Sequence, residues 1–147
     1  MKTAAAVLKS KSDQIVHTIG PTASVFAAVK LMADRNVGAL LVVDEERVLG
    51  IISERDYARK IVLVARSSRD TLVRDIMTSP VMYVRPEHTS EECMALMTEN
   101  RLRHLPVMDQ GKLIGLISIG DLVKGIISEQ KFMIEQLEHY ISGQHGA

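Results

Sequence analysis

The chain has 147 residues, 46% of them hydrophobic and 24% charged, which is typical of one globular domain or of two very small domains that share a core. The 18 basic and 18 acidic side chains give a formal charge of zero, whereas a protein that grips nucleic acid along its backbone usually has a basic surplus. The one cysteine, Cys93, excludes an intrachain disulfide, and no apolar run approaches the length that a bilayer requires. Composition therefore favours a cytoplasmic protein that does not cross a membrane, and it argues against nucleic acid as a ligand.

The first half of the chain is predicted to begin with a short strand and a helix. An apolar strand over 15–19 runs into Pro21, which ends it, and apolar residues at helical spacing follow. Two apolar runs, 39–43 and 48–52, flank a polar turn and are typical of strands buried on both faces. Ser53 then begins a second helix, so the order is strand, helix, strand, strand, helix.

The second half is predicted to repeat this order. A strand over 81–84 is followed by Thr89 and Glu92, whose spacing is that of a helix-starting capping box. Apolar runs over 105–108 and 113–117 predict two further buried strands, again joined by a polar turn. The final helix of this half begins at Ser118.

An internal repeat explains why the two halves look alike. When the sequence is aligned with itself so that Leu49 falls on Ile114, the whole segment 49–56 falls on 114–121. The same gapless register, continued toward the N-terminus, pairs Lys9 with Arg74. One register kept over this length, with matching glycine, proline and aspartate residues, predicts two copies of one unit related by a pseudo-two-fold axis.

The repeat divides the chain into four parts. The two copies are expected over 7–64 and 72–128, with a polar linker over 65–71 and a C-terminal helical extension over 129–147. A unit of about 50 residues buries too little apolar surface to be stable alone, so the copies should pack together. The extension has an apolar stripe, and we expect it to pack on its own module or on a second copy of the chain.

Three motifs resemble those of the cystathionine-β-synthase (CBS) domain family. They are Gly50-Ile51-Ile52-Ser53-Glu54-Arg55-Asp56, Asp75-Ile76-Met77-Thr78 and Arg103-His104-Leu105-Pro106-Val107. The family's pattern of glycine, hydrophobic residue, serine or threonine, two variable residues and aspartate occurs twice, at matching positions. More closely, the chain resembles stand-alone proteins with two tandem CBS domains, the Bateman module. The resemblance implies an α/β (α+β) fold in which the two domains form one pair.

The resemblance also implies two clefts between the copies, each taking its Ser-x-x-Asp segment from one copy and its opposite wall from the other. AMP is the first candidate ligand, with ADP, ATP and NAD as alternatives, and no metal is expected beyond nucleotide-associated Mg²⁺. One cleft would be lined by Ser53, Arg55, Asp56, Arg74, Pro80, Met82, Leu102 and Arg103. The other would be lined by Ser118, Gly120, Asp121, Lys9, His17, Val37, Gly38 and Ala39, with His104 near the shared axis.

The chemistry of the repeated Ser-x-x-Asp segment suits a nucleotide. Free backbone N–H groups in the first turn of a helix favour an anion, and Ser53 and Ser118 can donate to phosphate oxygens. A carboxylate can accept both hydroxyl protons of a ribose diol, so Asp56 and Asp121 are the expected ribose ligands.

The two clefts are not expected to be equivalent. The first copy has Arg55 where the second has Gly120, and arginine is the side chain best suited to bidentate phosphate contacts. Arg103 and Arg74, expected on the facing wall, would add further positive charge. We therefore expect this cleft to bind the longer or more highly phosphorylated ligand and the other to bind a nucleoside monophosphate.

Simpler interpretations stay open for several of these residues. Ser-x-x-Asp at a helix start is also an ordinary N-terminal cap, and Arg55 is equally well a solvated charge. The two arginines of segment 66–69 are read first as a solvated loop and second as a phosphate site. His17 and His104 have no cysteine or histidine neighbours at zinc-ligand spacing, which favours hydrogen-bonded interface histidines over metal ligands.

Three functions can be compared on the sequence alone. A regulatory module would bind nucleotide without catalysis and modulate a separate partner protein, with a homodimer as the expected assembly. A nucleotide-processing enzyme is the alternative, but the chain has neither a Walker phosphate loop nor a Rossmann glycine fingerprint. A nucleic-acid-binding module is disfavoured by the neutral charge. The sequence therefore predicts no catalytic residues and favours a sensor.

Overall fold

The computed structural model describes residues 2–12 and 14–145, with side chains described as far as residue 140. The helices are α1 (Ala4–Ser10), α2 (Val25–Arg35), α3 (Glu54–Tyr57), α4 (Val73–Ile76), α5 (Ser90–Asn100) and α6 (Ile119–His145), with a π-helical turn (Ala58–Val62) directly after α3. The strands are β1 (Thr18–Ile19), β2 (Ala39–Asp44), β3 (Arg47–Ser53), β4 (His104–Asp109) and β5 (Lys112–Ser118). This mixture of helix and strand confirms the predicted α+β class.

The repeat appears in the structure as two equivalent antiparallel hairpins. Leu41 of β2 pairs with Ile51 of β3, and at the equivalent place in the second copy Pro106 of β4 pairs with Leu116 of β5. Each hairpin also has one register shift, after Val42 in the first and at the matching position in the second. The strand predictions for these four segments are therefore confirmed.

The first strand of each copy is shorter than predicted. In the first copy only Thr18 and Ile19 form a strand, parallel to β2, and in the second only Val84 bridges to β4. Other apolar residues of these segments face solvent, since Ile15 is 70% and Tyr83 56% exposed. Apolar composition alone therefore overestimated how much of each segment joins the sheet.

The two hairpin turns share a backbone conformation but not a sequence. Both central residues have positive φ, at 49° and 68° for Glu45 and Glu46 and at 50° and 78° for Gln110 and Gly111. Positive φ at both positions matches the right-handed twist of a two-residue hairpin and is easiest for glycine or asparagine. The first copy places two glutamates there, so its turn is the more strained one.

Each copy has its own apolar core, but each core is completed by a helix from elsewhere in the chain. The core of the first copy includes Val73 and Ile76 of α4, which follows the linker. The core of the second copy includes Ala4 and Val7 of α1, at the start of the chain. The two halves are therefore interlocked, and neither core is made from one continuous segment.

We call α4 and α1 the crossing helices, because each completes the core of the other half of the repeat. Backbone hydrogen bonds show how each crossing helix is aligned with the copy on which it packs. The N–H of Val73 donates to the carbonyl of Ala23 at 2.8 Å, and the N–H of Ala4 donates to the carbonyl of His88 at 2.7 Å. The two acceptors are equivalent positions of the repeat, but the two donors are not, because the gapless register pairs Val73 with Leu8 rather than with Ala4. The pairing of Lys9 with Arg74 is therefore wrong, since the crossing helices are displaced by one helical turn relative to the hairpins.

The glycine of each Gly-Ile-Ile-Ser or Gly-Leu-Ile-Ser segment marks where a crossing helix meets a hairpin. A Cβ on Gly50 would lie 2.7 Å from Met77 Sδ and 2.8 Å from the Thr78 carbonyl oxygen. A Cβ on Gly115 would lie 2.6 Å from a methyl group of Leu8. Both glycines therefore lie at a close approach, which involves backbone at Gly50 and only a side chain at Gly115.

The polar segment between the copies is a packed connection rather than a loose linker. The N–H groups of Val25 and Phe26 donate to the carbonyls of Thr71 and Ser68, each at 2.9 Å. The guanidinium of Arg69 lies 4.0 Å from the centre of the Phe26 ring, within the range of a cation–π contact. Arg69 therefore has a structural role in holding the segment on α2.

The predicted C-terminal extension is the second half of one continuous helix, α6. Its apolar side chains are largely exposed, with Phe132, Met133 and Leu137 at 62%, 63% and 61%. None of the helices within the described ranges is both long enough and apolar enough to cross a membrane. Residues 146 and 147 of the predicted extension lie outside the described residues.

Candidate functional site

The two Ser-x-x-Asp segments form the same reciprocal hydrogen-bonded box at a helix N-terminus. Asp56 Oδ2 accepts from the Ser53 N–H at 3.0 Å, and Ser53 Oγ accepts from the Asp56 N–H at 3.2 Å. In the second copy the equivalent distances are 2.8 Å and 3.1 Å, between Ser118 and Asp121. The N-terminal capping interpretation of both segments is therefore confirmed, and in each box the serine N–H occupies only Oδ2 of the aspartate.

Each box opens into a cleft with walls from both copies. The Asp56 cleft has a volume of about 800 Å³ and is bounded on its far side by the end of α5 and the start of β4. The Asp121 cleft has a volume of about 590 Å³ and is bounded on its far side by the end of α2 and the start of β2. Gly38 and His104 line both clefts, so the two cavities share a wall.

Most of the residues predicted from the resemblance line these cavities. Those in the Asp56 cleft are Ser53, Arg55, Asp56, Leu102, Arg103 and His104. Those in the Asp121 cleft are His17, Val37, Gly38, Ala39, His104, Ser118 and Asp121. The predicted composition of two clefts from opposite copies thus corresponds to the geometry.

Five predicted residues do not lie on the wall expected for them. Lys9 and Arg74 line neither cleft, because their pairing assumed a gapless register. Pro80 lines a different cavity, beside the β3 hairpin, and Met82 is 41% exposed outside both clefts. A Cβ added to Gly120 would lie 3.6 Å from the Ser118 hydroxyl oxygen, but Gly120 does not line the Asp121 cleft.

The clefts also contain basic residues that sequence reasoning missed. Arg59, Lys60 and Arg101 join Arg55 and Arg103 in the Asp56 cleft. Lys11, Arg35 and Lys124 line the Asp121 cleft. A signal existed for Lys60, which follows Asp56 by four residues on one helical face. Nothing local predicted Arg101, which reaches the cleft by ending α5 in a left-handed conformation with φ of 54°.

A lysine contacts each box aspartate, and the two lysines come from unrelated positions. Lys60 Nζ lies 3.1 Å from Asp56 Oδ1 and donates to the Ile76 carbonyl at 2.8 Å. Lys11 Nζ lies 3.0 Å from Asp121 Oδ2 and donates to the Leu116 carbonyl at 2.7 Å. Each lysine therefore connects an aspartate to the backbone of a neighbouring segment.

Burial and these contacts have opposite effects on the charge of Asp121. Burial raises the pKa of its carboxyl. The hydrogen bond from the Ser118 N–H and the contact with Lys11 together lower the pKa by more than burial raises it, so the pKa lies below its usual range. Asp121 is thus an anion at neutral pH.

His104, on the shared wall, is neutral at the same pH. Burial lowers the pKa of its imidazole, and nearby Lys11 and Arg103 act in the same direction against the attraction of Asp121. A neutral imidazole can both donate and accept a hydrogen bond toward a ligand in either cleft. Within the described part of the chain, no group of three or more histidine, cysteine, aspartate or glutamate residues is placed to hold a metal ion.

The sequence profile of the CBS domain matches residues 12–63 and 73–128, and the chain belongs to the CBS domain family. The mitochondrial CBS domain-containing protein CBSX3 of Arabidopsis thaliana is 45% identical over 125 residues, which cover 82% of this chain and 61% of that protein. This chain therefore spans about three fifths of the length of that relative.

Solved structures agree with this assignment over nearly the whole chain. A CBS-domain protein from Burkholderia ambifaria MC40-6 is 56% identical, with a TM-score of 0.85, and the match covers 88% of this chain and 96% of that one. The crystal structure of CBSX2 in complex with AMP is 26% identical, with a TM-score of 0.73, and the match covers 88% of this chain and 99% of that one. The tandem CBS fold expected from the sequence motifs is thus confirmed.

Proposed function

We propose that this protein is a non-catalytic sensor that binds an adenine nucleotide between its two CBS domains and modulates a separate partner protein. The observation that carries the proposal is the pair of capped helix N-termini, each with a Ser–Asp box open to a cleft between the copies. CBSX2, which shares this fold, is known in complex with AMP, and this supports AMP as the first candidate. ATP and NAD are the alternatives.

The Asp121 cleft has the groups that a nucleoside monophosphate requires. Its volume, about 590 Å³, is within the range of small-molecule sites. The ionised carboxylate of Asp121 is an acceptor for ribose hydroxyls, and the Ser118 hydroxyl can donate to a phosphate oxygen. Lys11, Arg35 and Lys124 supply positive charge at the same cavity for a phosphate.

The Asp56 cleft suits a ligand with more negative charge. Its five basic side chains, Arg55, Arg59, Lys60, Arg101 and Arg103, face two acidic ones, and its volume is about 800 Å³. Arginine fits phosphate oxygens in bidentate geometry, so a di- or triphosphate would gain more contacts here than a monophosphate. We therefore propose that this cleft prefers the longer or more highly phosphorylated nucleotide.

Native mass spectrometry of freshly purified protein tests the proposal, followed by calorimetric titration with AMP, ATP and NAD. We expect retained or titratable nucleotide, and no product after prolonged incubation. An absence of binding by all three nucleotides would refute the sensor, while multi-turnover conversion of any of them would establish the enzyme instead. Salt-sensitive retention of an oligonucleotide would favour the nucleic-acid alternative.

We also propose that the protein is a homodimer in which the exposed end of α6 packs on a second copy. Phe132, Met133 and Leu137 lie on this part of α6, and exposed apolar side chains in such a group are typical of interaction surfaces. Sedimentation at micromolar concentration should show a dimer, and Leu137→Glu should shift it toward monomer. A monomeric wild-type protein, or a dimer unaffected by Leu137→Glu, would refute this contact.

A further inference from the structure

The carboxylates of Asp56 and Asp121 differ in how much accepting capacity they have left. We infer that the two clefts are filled in order: ribose binds first beside Asp121, and Lys60 and Thr78 keep Asp56 from binding it until one of them is displaced. This inference rests on the proposed nucleotide binding. It makes Lys60 and Thr78 specificity-determining residues of the Asp56 cleft.

Asp56 has a donor at every acceptor position that a carboxylate offers. Its Oδ2 accepts from the Ser53 N–H at 3.0 Å and from the Ser53 hydroxyl at 3.1 Å. Its Oδ1 accepts from the Thr78 hydroxyl at 3.2 Å and lies 3.1 Å from Lys60 Nζ. A carboxylate has about four lone-pair positions, so two ribose hydroxyls cannot be added without the loss of present contacts.

Asp121 uses only one of its two oxygens in this way. Its Oδ2 accepts from the Ser118 N–H at 2.8 Å and from Lys11 Nζ at 3.0 Å. The contacts from the Ser118 N–H and from Lys11 both fall on Oδ2, and the side chain of Asp121 is more accessible, at 17% against 11% for Asp56. Oδ1 can therefore accept from the ribose diol while the Ser118 N–H and Lys11 stay bound to Oδ2.

The contacts that occupy Asp56 are tied to α4 and to the segment that follows it. Lys60 Nζ is also bound to the carbonyl of Ile76, the last residue of α4, at 2.8 Å. Thr78 is held in place by its backbone, which exchanges two hydrogen bonds with Ile51, at 2.8 and 3.0 Å. Lys60 therefore links Asp56 to the end of α4, and the backbone bonds of Thr78 hold its hydroxyl next to Asp56.

Calorimetric titration of the full chain with AMP tests this order of filling. The wild-type protein should show one tight event and one weaker event. Asp121→Asn should weaken the tight event by about tenfold or more, since a ribose hydroxyl loses a charged acceptor. Thr78→Val removes one donor to Asp56 while keeping side-chain shape and charge, and it should strengthen the weaker event about threefold or more.

Two further variants separate the effect of the contact from that of charge. Lys60→Met frees Asp56 but also removes a cation from the cleft, so it should strengthen the weaker event less than Thr78→Val does. Lys30→Met removes a charge on α2, outside both clefts, and should behave as wild type. An unchanged tight event in Asp121→Asn, or an unchanged weaker event in Thr78→Val, would overturn the inference while leaving nucleotide binding established. Failure of the wild-type protein to bind AMP, ATP or NAD would instead refute the proposed function, and the inference with it.

Discussion

The two halves of this protein share a framework but differ where that framework meets the rest of the chain. Their hairpins pair in the same register, and their Ser–Asp boxes have matching hydrogen bonds, with the serine N–H donating at 3.0 Å in one and 2.8 Å in the other. Their crossing helices differ in register by one turn. The two halves also differ after the residues equivalent to α4: α1 continues to Ser10, while the segment after α4 is extended and places Thr78 beside Asp56. The comparison teaches that local sequence determines the Ser–Asp box, whereas the number of donors already bound to the aspartate depends on the segment that packs beside it, which for Asp56 is the one after α4.

The largest expected effect comes from the interlocking of the two cores. Ile76 and Val7 occupy equivalent places in α4 and α1, and both are almost fully buried, at 2% and 1% exposure. Ile76→Ala should lower the free energy of unfolding by about 2–5 kcal/mol through loss of apolar contacts and formation of a cavity. Hydrogen exchange should then show faster opening of β2 and β3, although residue 76 belongs to the second half of the sequence.

Val7→Ala is the matched variant and should speed hydrogen exchange in β4 and β5 instead. Its free energy of unfolding should fall by less than that of Ile76→Ala, because less of the side chain is removed. Preferential opening of β4 and β5 in Ile76→Ala would show that the crossing helices do not stabilise the opposite copy.

A smaller effect is expected from the two glycines at the crossing points. Gly50→Ala should destabilise the protein by about 1–3 kcal/mol, because the new methyl group would meet the Thr78 backbone. Gly115→Ala should cost less, since the side chain of Leu8 can rotate away. Gly20→Ala, with nothing within 4 Å of the added Cβ, is the control for thermal or denaturant unfolding. Equal losses of free energy of unfolding in Gly50→Ala and Gly115→Ala would show that contact with the Thr78 backbone costs no more than contact with the Leu8 side chain.

The smallest effect is expected at the hairpin turns, and it should be a gain. Glu46→Gly places glycine where the second copy already has Gly111, and it should raise the free energy of unfolding by up to about 1 kcal/mol by relieving a left-handed conformation. Gly111→Ala should lower it by a similar amount. If Glu46→Gly destabilises the protein in denaturant unfolding, the greater flexibility of its unfolded chain outweighs the strain relieved.

The sequence predicted features that local periodicity and motif spacing determine. The four long strands and the helix caps at Ser53 and Thr89 follow from short patterns and their repetition. The division of each cleft between two copies was expected from the resemblance to the CBS domain family. The register of the crossing helices could not be predicted in this way, because it depends on hydrogen bonds between residues far apart in sequence. The same long-range contacts decide the neighbours of Asp56.

The first strand of each copy also shows that local sequence does not determine long-range contacts. The segment 81–84 is apolar enough to predict a strand, yet only Val84 is buried and bridges to β4, while Met82 and Tyr83 are exposed at 41% and 56%. Lys60 differs from this segment, because its spacing from Asp56 on one helical face is visible in the sequence. Its link to α4, however, depends on the position of the Ile76 carbonyl, which the sequence does not show.

The exchange of helices between the halves constrains how the protein can form during synthesis. The first hairpin leaves the ribosome well before α4, so the core that contains Leu40 and Ile52, although packed against α2, stays incomplete until Val73 and Ile76 have emerged. Helix α1, made before the first hairpin, must remain available until β4 and β5 follow about a hundred residues later. A nascent chain stopped in the connecting segment would carry both an open apolar groove and an unused helix, which are the features that lead incomplete chains to aggregate.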